Sequence, residues 1–129
     1  MRVVLGGFDA ADAEPLRESL SEIGCVTRVV TIAKDILACA GQWKPAVLLL
    51  NPLVARGFDV CRCLKNDPEQ SGILVLMVAE LQDVSDIERA VEAGTDDFLS
   101  MPVEKAELLK RVSNMLRISQ IMNERDGLR

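Results

Sequence analysis

Residues 46–50 read A-V-L-L-L, five apolar residues without a polar break, with Pro45 before them and Asn51-Pro52 after. An apolar run this short between two prolines suits a strand buried on both faces of a parallel sheet. Residues 73–79, I-L-V-L-M-V-A, form a second run of the same kind. Such strands belong to layered α/β folds, in which chemistry sits just past the carboxyl ends of the strands. Asn51 holds that place after the first run. Its carboxamide is a poor nucleophile and carries no charge to hold a divalent cation, so the first thing this site reveals is negative.

The rest of the chain supplies the alternation such a fold needs. Residues 2–5 form a short strand ending at Gly6-Gly7, and residues 25–30 form another. Between them, residues 10–23 place Leu16, Leu20 and Ile23 at helical spacing, with Pro15 in the first turn and Gly24 as a stop. Thr27 or Thr31 opens the next helix, whose inward stripe is Ala33, Ile36, Leu37 and Ala40 and which Gly41 ends. Residues 57–65 make a helix with Phe58, Cys61 and Leu64 inward, stopped by Asn66-Asp67-Pro68. Residues 84–93 make one with Ile87, Ala90 and Val91 as its buried stripe, closed by Gly94. A brief fifth strand follows at 97–100, and from Val103 a helical pattern runs at least to Met122. Five strands alternating with five helices predict a doubly wound α/β sandwich whose strand ends share one edge.

Composition removes several classes of function. A chain of 129 residues suits one domain. Lys and Arg number 15 against 20 Asp and Glu, for a net charge of -5, so the clustered positive charge that binds a phosphate backbone is not expected. No apolar run approaches the roughly 20 residues that span a bilayer. Gly6, Gly7 and Asp9 break the apolar start a signal peptide would need. With no His, imidazole-based metal or acid–base chemistry is excluded, and Cys25, Cys39, Cys61 and Cys63 lack C-x-x-C spacing. The expectation is a reduced, cytoplasmic protein with no metal, no cofactor, no nucleic-acid or membrane partner and no enzymatic activity.

Three segments carry a resemblance: G-F-D-V-C-R-C-L-K-N-D-P, I-L-V-L-M-V-A-E and A-V-E-A-G-T-D-D-F-L-S-M-P-V-E-K-A-E-L-L-K-R-V. Together, over residues 2 to about 117, they resemble the receiver domain of two-component response regulators. The resemblance implies a flavodoxin-like, five-stranded parallel sheet of order 2-1-3-4-5. It also implies a chemistry in which an Asp ending the third strand accepts a phosphoryl group from a histidine kinase. Two acidic residues after the first strand would hold Mg²⁺, a Ser or Thr after the fourth would bond the phosphoryl group, and a Lys after the fifth would pair with it. Here the phosphoacceptor position is Asn51, the metal positions are Gly7 and Phe8, the hydroxyl position is Ala79 and the lysine position is Met101. The loop from Asn51 to Gly57 is about two residues shorter than in the family. Phosphorylating an aspartate needs a carboxylate nucleophile and a cation on the transferring oxygens, and Mg²⁺ sites lean on carboxylates. Five neutral positions describe a pseudo-receiver.

Nearby acids have other uses. Asp9 or Asp12 suits the cap of the first helix better than a metal site; Asp59 and Asp83 sit near other edge loops. Phe8 and Met101 are expected to plug the vacated pocket with apolar burial. Cys25, Cys39 and Cys61 read as small apolar residues and Cys63 as exposed. Trp43 reads as a packing residue in the loop before the third strand. By the resemblance, Phe98 takes the place of the aromatic that switches orientation on phosphorylation; with no phosphoryl group to sense, one fixed rotamer is expected. The resemblance further implies a dimer face bearing Glu88, Arg89, Asp97, Glu107, Lys110 and Arg111, a mixed-charge set suited to a two-fold axis.

The last helix continues past 117, where a receiver normally ends. Leu108, Val112, Met115, Ser119 and Met122 follow a heptad-like spacing, with Leu109, Leu116, Ile118 and Ile121 beside them. Ile118, Ile121 and Met122 are expected to lie beyond what the sandwich covers, making 118–129 a linker or dimerisation segment after a domain at 1–117. The leading functional expectation is a phosphorylation-independent pseudo-receiver in bacterial signal transduction, used for homodimerisation or for docking an output domain. The alternatives are a phosphorylatable receiver with a displaced acidic site, and a flavodoxin-like small-molecule or redox binder. Gly6-Gly7 alone is a weak phosphate cradle for the latter, and the His of a cobalamin binder is missing.

Overall fold

The computed structural model of the protein describes residues 1–53, 56–80 and 84–127. In chain order it contains β1 (Arg2–Gly6), α1 (Ala10–Ser21), β2 (Val26–Val30), α2 (Ala33–Trp43), β3 (Val47–Leu50), α3 (Gly57–Asn66), β4 (Leu74–Ala79), α4 (Val84–Ala93), β5 (Asp97–Ser100) and α5 (Lys105–Gly127). All strand pairs are parallel and the order is β2-β1-β3-β4-β5, the flavodoxin-like sandwich expected. Every residue of β3 and β4 is buried, as continuous apolar strands covered on both faces require.

Alternate side chains feed two cores. Leu5, Leu49 and Leu76 pack with Leu16 and Leu20 of α1 and Leu108, Val112 and Met115 of α5. Val4, Leu48, Val75 and Met77 pack on the other face with Ile36 of α2, Phe58 and Leu64 of α3 and Ala90 of α4. The register brings Gly6, Leu50 and Met77 level across β1, β3 and β4, and Ala79 level with Ser100. The residues just after these strands therefore share one edge. At the opposite edge, Lys65 Nζ lies 2.6 Å from Asp96 Oδ2 and donates to the Ile73 carbonyl at 2.8 Å, while the same Asp96 oxygen accepts from Val75 N–H. That ion pair ties the end of α3 to the starts of β4 and β5.

Several local expectations change. α1 ends at Ser21, and Ile23 lies beyond it, 37% exposed. Neither Thr27 nor Thr31 caps α2, whose N-cap is Ile32 with no side-chain bond. Gly41 does not end α2; the helix runs through Trp43, which is therefore helical, and closes on Lys44 in the left-handed region at φ 50°. In α4 the core is lined by Ala90 and Ala93, whereas Ile87 (37% exposed) and Val91 (64%) face outward with Val84. The small alanines let α4 sit close to α3, and the branched residues, spaced i, i+3 and i+7, form an outer stripe. In α5, Met115 and Ser119 are buried and Met122 is partly covered, with its Cε 3.8 Å from where a Gly72 Cβ would stand. Only Ile118 and Ile121 of the expected overhang are exposed. Among the described residues no helix is long and apolar enough to cross a membrane.

Candidate functional site

The carboxyl edge collects the five positions singled out in the sequence. After β1, Gly7 takes φ 84° and donates its N–H to the Val30 carbonyl at 2.9 Å, a turn that favours glycine. Phe8 follows with its ring buried to 1% exposure in the cluster that holds Leu5, Leu16 and Leu108. Asp9 then caps α1, its Oδ1 accepting the Asp12 N–H at 2.8 Å. That contact satisfies one of the helix's orphan donors and sets a negative charge at its positive end.

Asn51 continues from β3. Its N–H donates to the Gly6 carbonyl at 2.9 Å, and its Oδ1 accepts the Leu53 N–H at 3.1 Å, a local turn of the kind asparagine favours. Gly57 lies so close to the end of β3 that a Cβ on it would overlap Pro52 Cα and lie 2.7 Å from the Asn51 carbonyl oxygen. Gly57 is thus required for the first turn of α3 to close over the end of β3. The composition of the site does not reveal this position; the signal for it is the shortened loop. After β4, Ala79 is buried and its carbonyl accepts the Met101 N–H at 3.1 Å. Met101 is partly buried against the same cluster as Phe8, and its peptide bond to Pro102 is cis.

Among the described residues, carboxylates approach this edge from its margins. Asp12 and Glu80 line a cleft of about 530 Å³ beside Met101, between α1 and the start of α5. Asp59 pairs with Arg62 at 2.8 Å on the surface of α3. Asp83 lies outside the described residues. Among the described residues, no group of three or more His, Cys, Asp or Glu is placed to hold a metal ion.

The expected dimer-face residues fall into two groups. Asp97, Glu107 and Arg111 come together within the chain, with Arg111 2.7 Å from Asp97 and 3.1 Å from Glu107. The Asp97 hydrogen bond, with Glu107 assisting, raises the pKa of the Arg111 guanidinium above its ordinary value. Arg89 turns elsewhere, with its guanidinium 4.2 Å from the Phe58 ring centroid. Glu88 and Lys110 remain exposed on α4 and α5. Phe98 is partly buried against the core on the α2–α4 side. Cys63 is exposed, Cys39 intermediate and Cys25 and Cys61 buried. Cys61 donates weakly to the Ala93 carbonyl, and burial pushes its thiol up to about 11.

No family model matches the chain. It is 31% identical over 118 residues to the DNA-binding response regulator MtrA of Mycolicibacterium paratuberculosis, covering 90% of this chain and 51% of that protein. It is 33% identical over 119 residues to the response regulator MprA of Mycobacterium leprae, covering 91% and 51%. The signal receiver domain of a histidine kinase from Syntrophus aciditrophicus superimposes with a TM-score of 0.84 at 26% identity, covering 90% of this chain and 89% of that one. The chain carries the receiver fold of response regulators. It spans about half the length of these curated relatives. Within the receiver fold, the edge at Gly7, Phe8, Asn51, Ala79 and Met101 is the one the resemblance assigns to phosphoryl chemistry. Here that edge is built from an Asx turn, a glycine contact and two apolar side chains packed into the core beneath it.

Proposed function

We propose that this receiver domain works without phosphorylation, as a non-enzymatic module for protein–protein contact in signal transduction. The observation that carries this reading is Phe8. Where the resemblance puts a metal-holding carboxylate, an aromatic ring is sunk into the core at 1% exposure. A cation there would meet hydrocarbon, and divalent metals such as Mg²⁺ lean on charged oxygen ligands. The other positions agree: the Asn51 carboxamide oxygen is already bonded within its own loop, and Met101 covers the same apolar cluster.

The surface best suited to a partner is the outer side of α4 with the adjoining β5 and α5. Val84, Ile87 and Val91 give it an apolar stripe, while Asp97, Glu107 and Arg111 present a pre-formed charge cluster. An apolar centre with a charged margin fits self-association about a two-fold axis. In the proposed role α5 links this contact to whatever signalling segment the domain serves.

The test is a backbone-amide NMR titration with Mg²⁺ and beryllofluoride, a mimic of the phosphoryl group. The expected result is no movement at Gly7, Asn51, Ala79 or Met101 at millimolar ligand. Saturable shifts at those amides would overturn the reading. The shared cleft of Asp12 and Glu80 supports one rival, a displaced acidic site. It predicts saturable shifts confined to that cleft.

A further inference from the structure

A second recess lies at the amino-terminal edge of the sheet, away from Asn51. Its floor is the start of β1 and the segments that enter β3 and β4, and its wall is the last turns of α5. Its volume is about 780 Å³, within the range typical of small-molecule sites. We propose that this cleft binds a small phosphate-bearing anion, and that the occupant braces the end of α5 against the base of the domain.

Charge is the first argument. The chain carries a net -5, yet the cleft is lined by Arg2, Lys44 and Arg125 against the single carboxylate of Glu69. Among the described residues neither Lys44 nor Arg125 is in an ion pair. Like charges lining one recess repel one another, and a multiply charged anion offsets that repulsion.

Geometry is the second. Arg2 is held in place: its Nη1 donates to the Trp43 carbonyl at 2.7 Å and its guanidinium lies 5.6 Å from the Trp43 ring centroid. Arg28 lies 4.4 Å from the same centroid. A guanidinium fixed through one of its five donors keeps the rest for a bound phosphate, with little side-chain entropy left to lose. Lys44 closes α2 at φ 50°, where glycine is the comfortable residue. A lysine kept in that backbone conformation at the rim of a basic recess is a strained residue with a reason to be charged. Ser119 is the one polar or charged side chain buried among the described residues, and it lines this cleft with Asn123. One held and two exposed cations beside hydroxyl and amide donors suit phosphate oxygens, and among the described residues no aromatic ring lines the cleft to select a base.

The bracing follows from where the groups sit. Arg2 and Lys44 belong to β1 and the end of α2, whereas Ser119, Asn123 and Arg125 belong to α5. A ligand gripping both sets joins two parts of the fold and favours the state in which the helix end is docked. This holds whether or not the opposite edge is silent.

The test uses the full 129-residue chain at physiological ionic strength, titrated separately with pyrophosphate, ATP and adenosine and followed by amide NMR and calorimetry. Pyrophosphate should give saturable shifts grouped at 44–46, 69–73 and 119–125, and hydrogen exchange should slow at 119–125. Adenosine should move nothing. Lys44→Gly, which suits the backbone at that position, should weaken binding about tenfold or more, and so should Arg125→Gln. Binding of ATP without pyrophosphate would keep the proposal and narrow the ligand to a nucleotide. The proposal is overturned if neither phosphate ligand binds saturably, if both variants bind like the parent, or if Lys34 and Lys110 respond as strongly as the cleft. Binding without slowed exchange would overturn the bracing.

Discussion

Replacing Phe8 tests whether its ring is an apolar plug under this edge. Its ring is 1% exposed and belongs to the cluster that joins Leu5, Leu16 and Leu108, so the side chain links β1, α1 and α5. Truncating a fully buried Phe to Ala removes its transfer free energy and leaves a cavity, costing about 3–5 kcal/mol together. A domain of this size is stable by roughly 5–15 kcal/mol, so Phe8→Ala should stay folded but marginal. In urea, with a slope of about 1–3 kcal/mol per molar, the midpoint should fall by roughly 1–5 M. Phe8→Leu keeps most of the volume and should cost under about 1.5 kcal/mol. Phe8→Asp restores the acid that the resemblance implies, yet places a carboxyl group among hydrocarbon. It should destabilise at least as much as Ala and gain no Mg²⁺ affinity. The assay is urea unfolding followed by far-UV circular dichroism, with Mg²⁺ titrated into each variant. A loss below about 1 kcal/mol for Phe8→Ala, or saturable Mg²⁺ binding by Phe8→Asp, would refute the plug.

Three further outcomes are expected. Met101→Lys restores the lysine of the resemblance at a partly buried apolar position; it should cost about 1–2 kcal/mol in the same unfolding assay and leave the Mg²⁺ titration flat. Cys63 should react first with a thiol reagent at neutral pH and Cys61 last. Because burial raises the Cys61 thiol to about 11, its contribution to stability is full below the ordinary thiol range. It is lost as pH rises from that range through about 11, so alkaline urea midpoints should fall less for Cys61→Ala than for the parent. Val91→Glu alters an exposed side chain and should change stability by no more than about 0.5 kcal/mol. If α4 is the self-association face, sedimentation equilibrium should show the variant shifted toward monomer; an unchanged distribution would remove α4 from the interface.

The strands were legible because their signal is local and strong. Residues 46–50 and 73–79 can bury a continuous apolar run only between two helical layers, and the sheet uses them that way. The neutral character of the five edge positions is also plain in the residue names. What the sequence does not display is how the edge is filled. That Phe8 points into the core and that Gly57 must lack a side chain depend on contacts between segments distant in the chain or across a turn, which only the fold defines. The end of α2 shows two local rules in conflict. Gly41 looks like a stop, yet it stays helical, and a Cβ there would meet Gln70 Nε2 at 3.0 Å. The effective stop is Lys44 before Pro45, since a residue preceding proline is steered away from the helical region. In α4, hydrophobicity pointed to Ile87 and Val91, but the inner face went to Ala90 and Ala93, because close approach to α3 favours small residues over apolar bulk.

The pattern in α5 shows why periodicity identifies a face without identifying what covers it. Leu108, Val112, Met115, Ser119 and Met122 recur at alternating steps of four and three, which suits either a coiled-coil seam or one side of a helix lying on a sheet. Leu108, Val112 and Met115 are buried in the chain's own core, Ser119 is buried, and Met122 reaches toward Gly72. The seam is therefore already occupied by the sandwich and the loops at its base. Among the described residues, the exposed large apolar side chains that α5 offers a second helix are Ile118 and Ile121, on another side of the helix. Two such side chains on one turn bury too little to hold a pair of helices alone, because helix pairing depends on a face sustained over several turns. Self-association that involves this helix would need further apolar surface, such as the stripe that α4 exposes at Val84, Ile87 and Val91.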